Sequence, residues 1–534
     1  MFSPFILIHI CLFRISTTVI GPGNNQNEDE NYNWKRGSVL ALPALAAMMT
    51  SVTDDETSDK LNISQEAADS NYRHCGTMVE EPVFSYTVSG PSTEYNPIVE
   101  NVIFNAELPY QPQQFQVKTW NSIASKNDVI LVAPCSSGKM ATAELCVDIM
   151  RQMTGIKDGV GLGIMPLSAI MREAIEKNSN VAFITMEGGV ETGPGEETSE
   201  SFEASDSLES LKTGKYKLIL AHIESLDSNE GRKFLDDLEE AGKLVFIFVD
   251  EVHKNLPSQW GKESFRKEMS VVPASLRTQT VFPWVPILAM TATLAVSEVK
   301  EVQDMLCIRK NNLVVISSTP VQPQHKMCNI LRPSSFYPSP SREPGTKQLL
   351  DRLILAKFEK CVVTNNFDKF PKTLIFVKHI KEGMEINDLL SYRHKNVPIN
   401  NRPWAFIHSQ KKIMSSEALN RGLENNLLKL IICSPTLLMG VNLSKFRICI
   451  MLGPYEMMAD ICQAMGRTGR REEGGRAMSV LYNCYNKTDL SRNSSPDVIK
   501  FCEFKQCLKL YTHEYFTNEV KQFGGEWCCS NCND

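Results

Sequence analysis

The run VILVA (129–133), followed by Pro134-Cys135-Ser136-Ser137-Gly138-Lys139-Met140 and a helix-like stretch from Ala141, decides how this chain is read. A small-residue loop between a strand and a helix turns backbone N–H groups and the positive end of the helix dipole toward an anion. A lysine at its end adds a charge for the outer phosphates of a nucleotide. Taken alone, the same string also suits an ordinary strand–helix turn with an incidental Gly-Lys. The usual phosphate loop ends in Ser or Thr, whose hydroxyl binds Mg²⁺, and Met140 cannot do that.

Working outward, short apolar β-rich runs alternate with helical stretches: VGLGIM (160–165), VAFIT (181–185), KLILA (217–221), LVFIFVD (244–250) and VPILAM (285–290). Strands this apolar are buried on both faces, which is the signature of a parallel sheet covered by helices. A second series follows in TLIFV (373–377), WAFIH (404–408), LKLIICS (428–434), RICIML (447–452) and MSVLY (478–482). Pro-rich residues 320–344 separate the two series. The predicted layout is a disordered tail over 1–97, an α/β domain over 98–318, a linker over 319–346, a second α/β domain over 347–490 and a Cys-rich piece over 491–534. The acidic stretch 187–211 reads as a surface loop inserted in the first domain.

The chain has 534 residues, 42% of them hydrophobic and 22% charged, a globular balance that excludes fibrous or wholly disordered classes. Its net charge of −6 at first argues against a polyanionic partner. Residues 1–85 and 187–212 contribute −6 and −7, however, so the remainder carries +7 and a local basic groove stays open. The sixteen cysteines are spread along the chain, five of them in the last 33 residues, which suits reduced thiols better than a disulfide framework. The apolar segment FILIHICLF (5–13) has no basic residue before it and is followed by Arg14. It is a weak match to a secretory signal and too short to cross a bilayer, and no later segment spans a membrane.

LVFIFVD ends at Asp250-Glu251-Val252-His253, 111 residues after Lys139. An apolar strand delivering paired acids is how a nucleotide site aims one carboxylate at Mg²⁺ and another at the attacking water. Thr291-Ala292-Thr293 follows another buried strand. Gln463-Ala464-Met465-Gly466-Arg467-Thr468-Gly469-Arg470 closes the second domain, and its two arginines, expected three apart on one helix face, can reach a γ-phosphate across a domain cleft. Lys139, Asp250, Glu251, Gln463, Arg467 and Arg470 are therefore the candidate catalytic residues.

In order and spacing these motifs resemble the superfamily-two DExH-box helicases, and within them the RecQ-like DNA helicases, over about residues 100–534. The resemblance implies two tandem RecA-like parallel-sheet domains followed by a short Cys-rich, zinc-subdomain-like piece. It implies that ATP is held by Gln116, which stands where the family's adenine-reading glutamine does, and by Pro134, Cys135, Ser136, Ser137, Gly138, Lys139 and Met140. Pro166–Met171 looks like the family's PLxxLM segment, His408-Ser409 its YHAG segment, and Ser434 through Asn442 its motif V. Ser258-Gln259-Trp260-Gly261 and Phe265-Arg266 are similar to the aromatic-rich loop that couples single-stranded DNA to ATP hydrolysis, although the loop carries extra residues and lacks an aromatic after Arg266. Thr291, Thr293 and His408 join Trp260, Phe265 and Arg266 as the implied nucleic-acid coupling residues. At the C-terminal end, Cys507, Cys529 and Cys532 match the zinc ligands, with Cys528 as a candidate fourth because the sequence ends at Asp534 where the family's own fourth ligand would follow. Leu508-Lys509 replaces the usual double Arg, and no winged-helix region follows.

The implied activity is ATP-dependent 3′–5′ translocation on, or unwinding of, single-stranded or forked DNA in repair or recombination, with ATP, Mg²⁺ and Zn²⁺ as cofactors and a nuclear location. Two other readings stay open. An RNA helicase suits the DExH box and Met439-Gly440-Val441-Asn442-Leu443, and a nucleic-acid-binding scaffold with impaired ATPase suits the departures at Cys135, Ser136 and Met140.

Overall fold

The computed structural model describes residues 78–79, 96–135, 137–166, 168–185, 190–192, 208–256, 285–308, 313–317, 324–333, 345–408, 422–423, 425–434, 445–469, 471–472, 475–517, 523 and 528–532. In the first domain the expected apolar runs form strands β2 (Asp128–Val132), β3 (Val160–Ile164), β4 (Val181–Ile184), β6 (Leu218–Ala221), β7 (Leu244–Val249) and β8 (Ile287–Thr291). β1 is Met78–Val79, β5 is Val190–Thr192 and β9 is Leu313–Ser317. They assemble in the order β5-β4-β6-β3-β7-β8-β2-β9, all parallel except the antiparallel β5 edge. Every residue of β2, β3, β4, β6, β7 and β8 is buried, the physical reason their sequences are nearly continuous hydrophobic runs.

The second sheet has the order β10-β17-β14-β11-β13-β12 and is parallel throughout. Its strands are β10 (His325–Leu331), β11 (Lys372–Val377), β12 (Trp404–Ile407), β13 (Leu430–Cys433), β14 (Phe446–Leu452) and β17 (Ser479–Tyr485). Two parallel α/β sheets in tandem are thus the architecture expected from the sequence. A small third sheet joins β1 to the hairpin β15 (Arg471–Glu472) and β16 (Gly475–Ala477), with Met78 opposite Ala477 and Val79 opposite Arg476.

Two boundary expectations need correction. Residues 325–331 are not linker but the edge strand of the second sheet, registered along its whole length with β17. The strand was hidden because it is rich in polar residues, and these are bonded internally: His325 Nε2 lies 3.3 Å from the Thr468 carbonyl oxygen and Asn329 Nδ2 donates to the Phe501 carbonyl at 2.9 Å. Within the stretch read as a disordered tail, Met78–Val79 are a strand, because the β15–β16 hairpin offers an open edge of backbone donors and acceptors. Among the described residues, no helix is long and apolar enough to cross a membrane. Of the acidic stretch 187–211, residues 190–192 and 208–211 are described, as β5 and one short helix.

Four helices position the site. α1 (Gln114–Ala124) and α2 (Lys139–Thr154) flank the β2 loop, α3 (Met458–Met465) carries Gln463, and α4 (Leu508–Thr517) begins beside Cys507. Trp120 of α1 is fully buried and its indole N–H donates to the Thr142 carbonyl of α2 at 3.0 Å. An unbonded indole N–H there would cost about 1–3 kcal/mol, so the bond fixes how α1 lies against α2.

Candidate active site and cysteine cluster

The loop from Pro134 to Lys139 leaves the C-terminal end of β2 and opens α2, with Gly138 at φ +91° as its N-cap. That left-handed backbone favours glycine, and a Cβ there would also stand 3.2 Å from Gln116 Nε2. Lys139 Nζ donates to the carbonyls of Ala133 at 3.1 Å and Pro134 at 3.2 Å, so the ammonium is folded over the loop it must serve. Gln116 is buried. Its Oε1 accepts from Gln113 N at 2.9 Å and its Nε2 faces Thr142 Oγ1 at 3.2 Å, so the side chain expected to read adenine also ties α1 to the start of α2. Thr142 donates in turn to the Gly138 carbonyl at 2.9 Å and so offers no hydroxyl in place of the one Met140 lacks. Met140 is half-buried against the apolar core of the first domain, and Ser137 Oγ is buried with no hydrogen-bond partner.

At the end of β7 the Asp250 carboxyl is pushed up to about 7 by burial first and by the Glu251 charge second, while Lys139, the Glu251 backbone N–H and Arg467 pull the other way. The phosphate-loop lysine, the paired acids and an arginine of the second domain therefore share one electrostatic site. Asp250 Oδ1 is buried without a hydrogen-bond partner. An anionic oxygen left open among cations and a phosphate loop is the donor a hard divalent cation takes, so this site fits Mg²⁺.

Glu251 sits at φ 49° and ψ 42°, a left-handed conformation unusual for a side chain of this size, with Oε2 3.4 Å from His253 Nδ1. His253 is buried between the domains. Its Nδ1 lies 2.7 Å from Thr291 Oγ1 and its Nε2 lies 2.8 Å from Gln463 Nε2. An amide nitrogen can only donate, so His253 Nε2 accepts and Nδ1 carries the ring proton to Thr291, which also receives the Thr293 N–H at 3.1 Å. Gln463, expected among the catalytic residues, is thus placed on the histidine behind the acids. Thr291, expected to couple nucleic acid, is the next link of the same chain, and Thr293 Oγ1 is buried with no hydrogen-bond partner. His253 is the functional residue that sequence reasoning quoted but gave no role. The DEVH string itself was the signal.

The two domains approach closely at Gly466, the C-cap of α3, so Arg467 follows the end of the helix and does not share a helix face with Arg470 as expected. A Cβ on Gly466 would lie 2.7 Å from Cys135 Cβ and 2.9 Å from its Sγ, so glycine is what lets α3 rest on the phosphate loop. Ser136, Arg470, Trp260, Phe265 and Arg266 lie outside the described residues, as do Leu167, Ser409 and 435–442 of the three family-like segments. His408 is buried after β12, its ring tilted 34° against Phe406 with centroids 4.8 Å apart and with Nδ1 unbonded. The described contacts do not link it to the acids.

The Sγ atoms of Cys507, Cys528, Cys529 and Cys532 all lie within 4.8 Å of one another. The Cys507–Cys528 and Cys529–Cys532 pairs are each 3.4 Å apart. Tetrahedral zinc with bonds of about 2.3 Å holds its sulfurs about 3.8 Å apart, so the four thiols fit that ion, Cys528 included. Cys529 is pulled down toward thiolate, first by the Cys528 thiol and further by the Leu508 backbone N–H. The cluster is pinned to the second sheet by a bridge between Met327 and Cys529. Protein purified under reducing conditions is expected to carry one zinc per chain by metal analysis, and Cys529→Ser to lose most of it. Zinc-free parent protein would make the cluster a set of packed thiols.

A phosphate loop and a DExH strand end on one parallel sheet, met across the domain boundary by a glutamine and an arginine from a second, define a superfamily-two helicase core. Residues 113–302 match the DEAD/DEAH box helicase family and residues 354–472 the helicase conserved C-terminal domain. Within that superfamily the chain resembles the RecQ-like helicases. It is 23% identical over 458 residues to ATP-dependent DNA helicase Q-like 2 of Arabidopsis thaliana, covering 82% of this chain and 57% of that protein. Against ATP-dependent DNA helicase Q1 of Mus musculus it is 22% identical over 459 residues, covering 81% and 62%. A putative ATP-dependent RNA helicase of Acanthamoeba polyphaga mimivirus is 22% identical over 447 residues, covering 79% and 69%. The chain therefore spans about 60% of the length of the first two relatives. In fold it is similar to the DUF1998 helicase MrfA bound to DNA, with TM-score 0.54, 13% identity and coverage of 86% and 56%. It is similar also to Mss116p bound to single-stranded RNA and AMP-PNP, with TM-score 0.53, 15% identity and coverage of 77% and 78%.

Proposed function

We propose that this chain is an ATP-dependent DNA helicase or single-stranded DNA translocase of the RecQ type, moving 3′ to 5′ and acting on nuclear DNA in repair or recombination. The observation that carries the reading is the junction between domains: Gln463 reaches His253 at 2.8 Å while Arg467 and Lys139 bring their charges to the Asp250 carboxyl. A site completed only when two domains meet lets nucleotide binding and hydrolysis close and open the cleft, the motion that moves a strand across both domains. Glu251 orients or deprotonates the attacking water, and His253 behind it links the first domain to Gln463 of the second. Lys139 leaves its loop carbonyls for the outer phosphates, and Arg467, with Arg470 beside it in sequence, stabilises charge as the γ-phosphate departs. Bound Mg²⁺ supplies charge neutralisation on the phosphates, with Asp250 as its protein ligand.

Steady-state ATPase with and without single-stranded DNA, and with single-stranded RNA, tests this reading. DNA is expected to stimulate turnover more than RNA, and Trp260→Ala to keep basal turnover but lose the DNA stimulation, as a stacking contact of about 1–3 kcal/mol disappears. Stimulation by RNA alone would favour the RNA helicase reading, toward which the mimivirus relative's name points. Equal stimulation of both variants would make Trp260 a packing residue.

Met140 sets a second expectation. With no hydroxyl at that position, hydrolysis should be slow and should need more Mg²⁺ than in Met140→Thr, which restores a ligand. Magnesium titrations of the two proteins decide it. Identical curves with brisk turnover would mean Asp250, water and phosphate suffice, and no turnover in either would favour a nucleic-acid-binding scaffold.

A further inference from the structure

Arg467, Thr468, Gly469 and Arg470 follow the C-cap of α3 directly, and more than α3 holds this segment in place. Thr468 N and Oγ1 both donate to the Met465 carbonyl, at 3.1 and 2.9 Å, and Gly469 N donates to the Phe446 carbonyl at the start of β14 at 3.1 Å. The two carbonyls between the arginines are met by residues far earlier in the chain. His325 Nε2 lies 3.3 Å from the Thr468 carbonyl oxygen, 143 positions away, and Gln324 Nε2 donates to the Gly469 carbonyl at 3.5 Å, 145 positions away. A carbonyl oxygen only accepts, so His325 carries a proton on Nε2. Gln324 is itself fixed, because its own carbonyl accepts from Ser479 N at 2.9 Å, and Gln324, His325 and Thr468 are all buried. Gly469 stands at φ +63°. A Cβ there would lie 2.7 Å from Ser479 Oγ, 2.9 Å from the Ala477 oxygen and 3.0 Å from His325 Nε2, so the segment is seated directly against the first residues of β10 and β17.

We propose that His325, with Gln324 beside it, is a positioning residue for ATP hydrolysis: it holds the Thr468-Gly469 backbone so that the arginines on either side are aimed at the γ-phosphate. The proposal rests on the ATPase reading above and concerns what aims the arginines. A long arginine side chain delivers its charge to a fixed point only from a fixed backbone, and a misplacement of about 1 Å at a reacting centre costs about 100-fold in rate. The segment is in the right place for this task, since Gly466, next to Arg467, rests on Cys135 of the phosphate loop. The grip also lies where the chain passes from one domain to the other, because only residues 318–323 separate Ser317, the end of β9, from Gln324. The backbone that aims the arginines is therefore tied to the point at which the two domains are joined.

The test uses the full chain with single-stranded DNA present. It reads kcat and KM for ATP, melting temperature, and the affinities for ADP and for ADP with aluminium fluoride, a mimic of the transferring phosphoryl group. His325→Leu is expected to lower kcat and to weaken binding of the mimic by about 10- to 100-fold, with KM, ADP affinity and melting temperature near the parent's. His325→Gln is expected to recover most of the loss, because its amide nitrogen stands as many bonds from the backbone as Nε2 does. In a protein that already carries Arg467→Ala and Arg470→Ala, adding His325→Leu is expected to weaken mimic binding no further, since a residue that acts through the arginines has nothing left to act on. Parental turnover and mimic affinity in His325→Leu would overturn the proposal. An equal further loss in the protein without the two arginines would overturn it as well and make His325 a packing residue. If His325→Leu fails to fold, Gln324→Leu decides, because it removes only the Gly469 contact and is expected to weaken mimic binding in the same direction, and parental values there would overturn the proposal. A parent that binds the mimic but never hydrolyses ATP would defeat the ATPase reading instead, and the mimic affinities would still decide the role of His325.

Discussion

Lys139→Ala is expected to reduce ATP hydrolysis by at least about 100- to 1,000-fold, the usual cost of removing one fixed charge or donor from a phosphoryl-transfer site. The fold should survive. Lys139 is half-exposed and its two bonds go to the Ala133 and Pro134 carbonyls, each worth about 1 kcal/mol net, so the melting temperature should fall by only a few degrees. A second readout comes from the carboxyl it faces. Lys139 is one of the groups holding the Asp250 pKa down against burial, so its removal should leave Asp250 protonated to higher pH and weaken Mg²⁺ binding near neutrality. Phosphate release measured against melting temperature checks both parts. A folded Lys139→Ala protein that hydrolyses ATP like the parent would mean that the β2 loop is not the phosphate site.

Glu251→Gln is expected to separate binding from chemistry. The amide has nearly the same shape, so nucleotide affinity should change by no more than a few-fold, while turnover should fall about 100- to 10,000-fold because no group remains to orient and deprotonate the water. The left-handed backbone at Glu251 makes the geometry informative. Such a conformation is retained only where surrounding structure over-determines it, and here it sets the carboxylate 3.4 Å from His253 Nδ1 while the Lys139 charge acts on Asp250. Binding of a fluorescent ATP analogue alongside radiolabelled turnover distinguishes the outcomes. Unchanged turnover would take Glu251 out of catalysis and leave it as a support for His253.

What the sequence by itself determined is the part written in local pattern. Continuous hydrophobic runs such as Leu244–Val249 mark strands covered on both faces, and the chemistry-bearing loops follow such strands directly. Gly138-Lys139 after β2 and Asp250-Glu251 after β7 therefore reach the same edge of one parallel sheet for any chain with this alternation, because parallel strands all end on one side. The four-cysteine set was legible only through the resemblance to the family's zinc subdomain, since Cys507 stands 21 residues before Cys528 and nothing in the spacing alone joins them.

The tertiary structure alone decided what depends on contacts between distant segments. Gln463 meets His253 across 210 residues, and nothing in either neighbourhood encodes that distance. The amide of Gln116 is engaged by Gln113 and Thr142, a bonding set invisible in a motif that records only the glutamine. β10 escaped notice because its polar side chains are satisfied by the Thr468 and Phe501 carbonyls, so burial there does not require a hydrophobic sequence. The close approach at Gly466 belongs to the same class. It exists only once the two sheets are brought together, and packing of that kind is fixed by shape and not by the periodicity of any one segment.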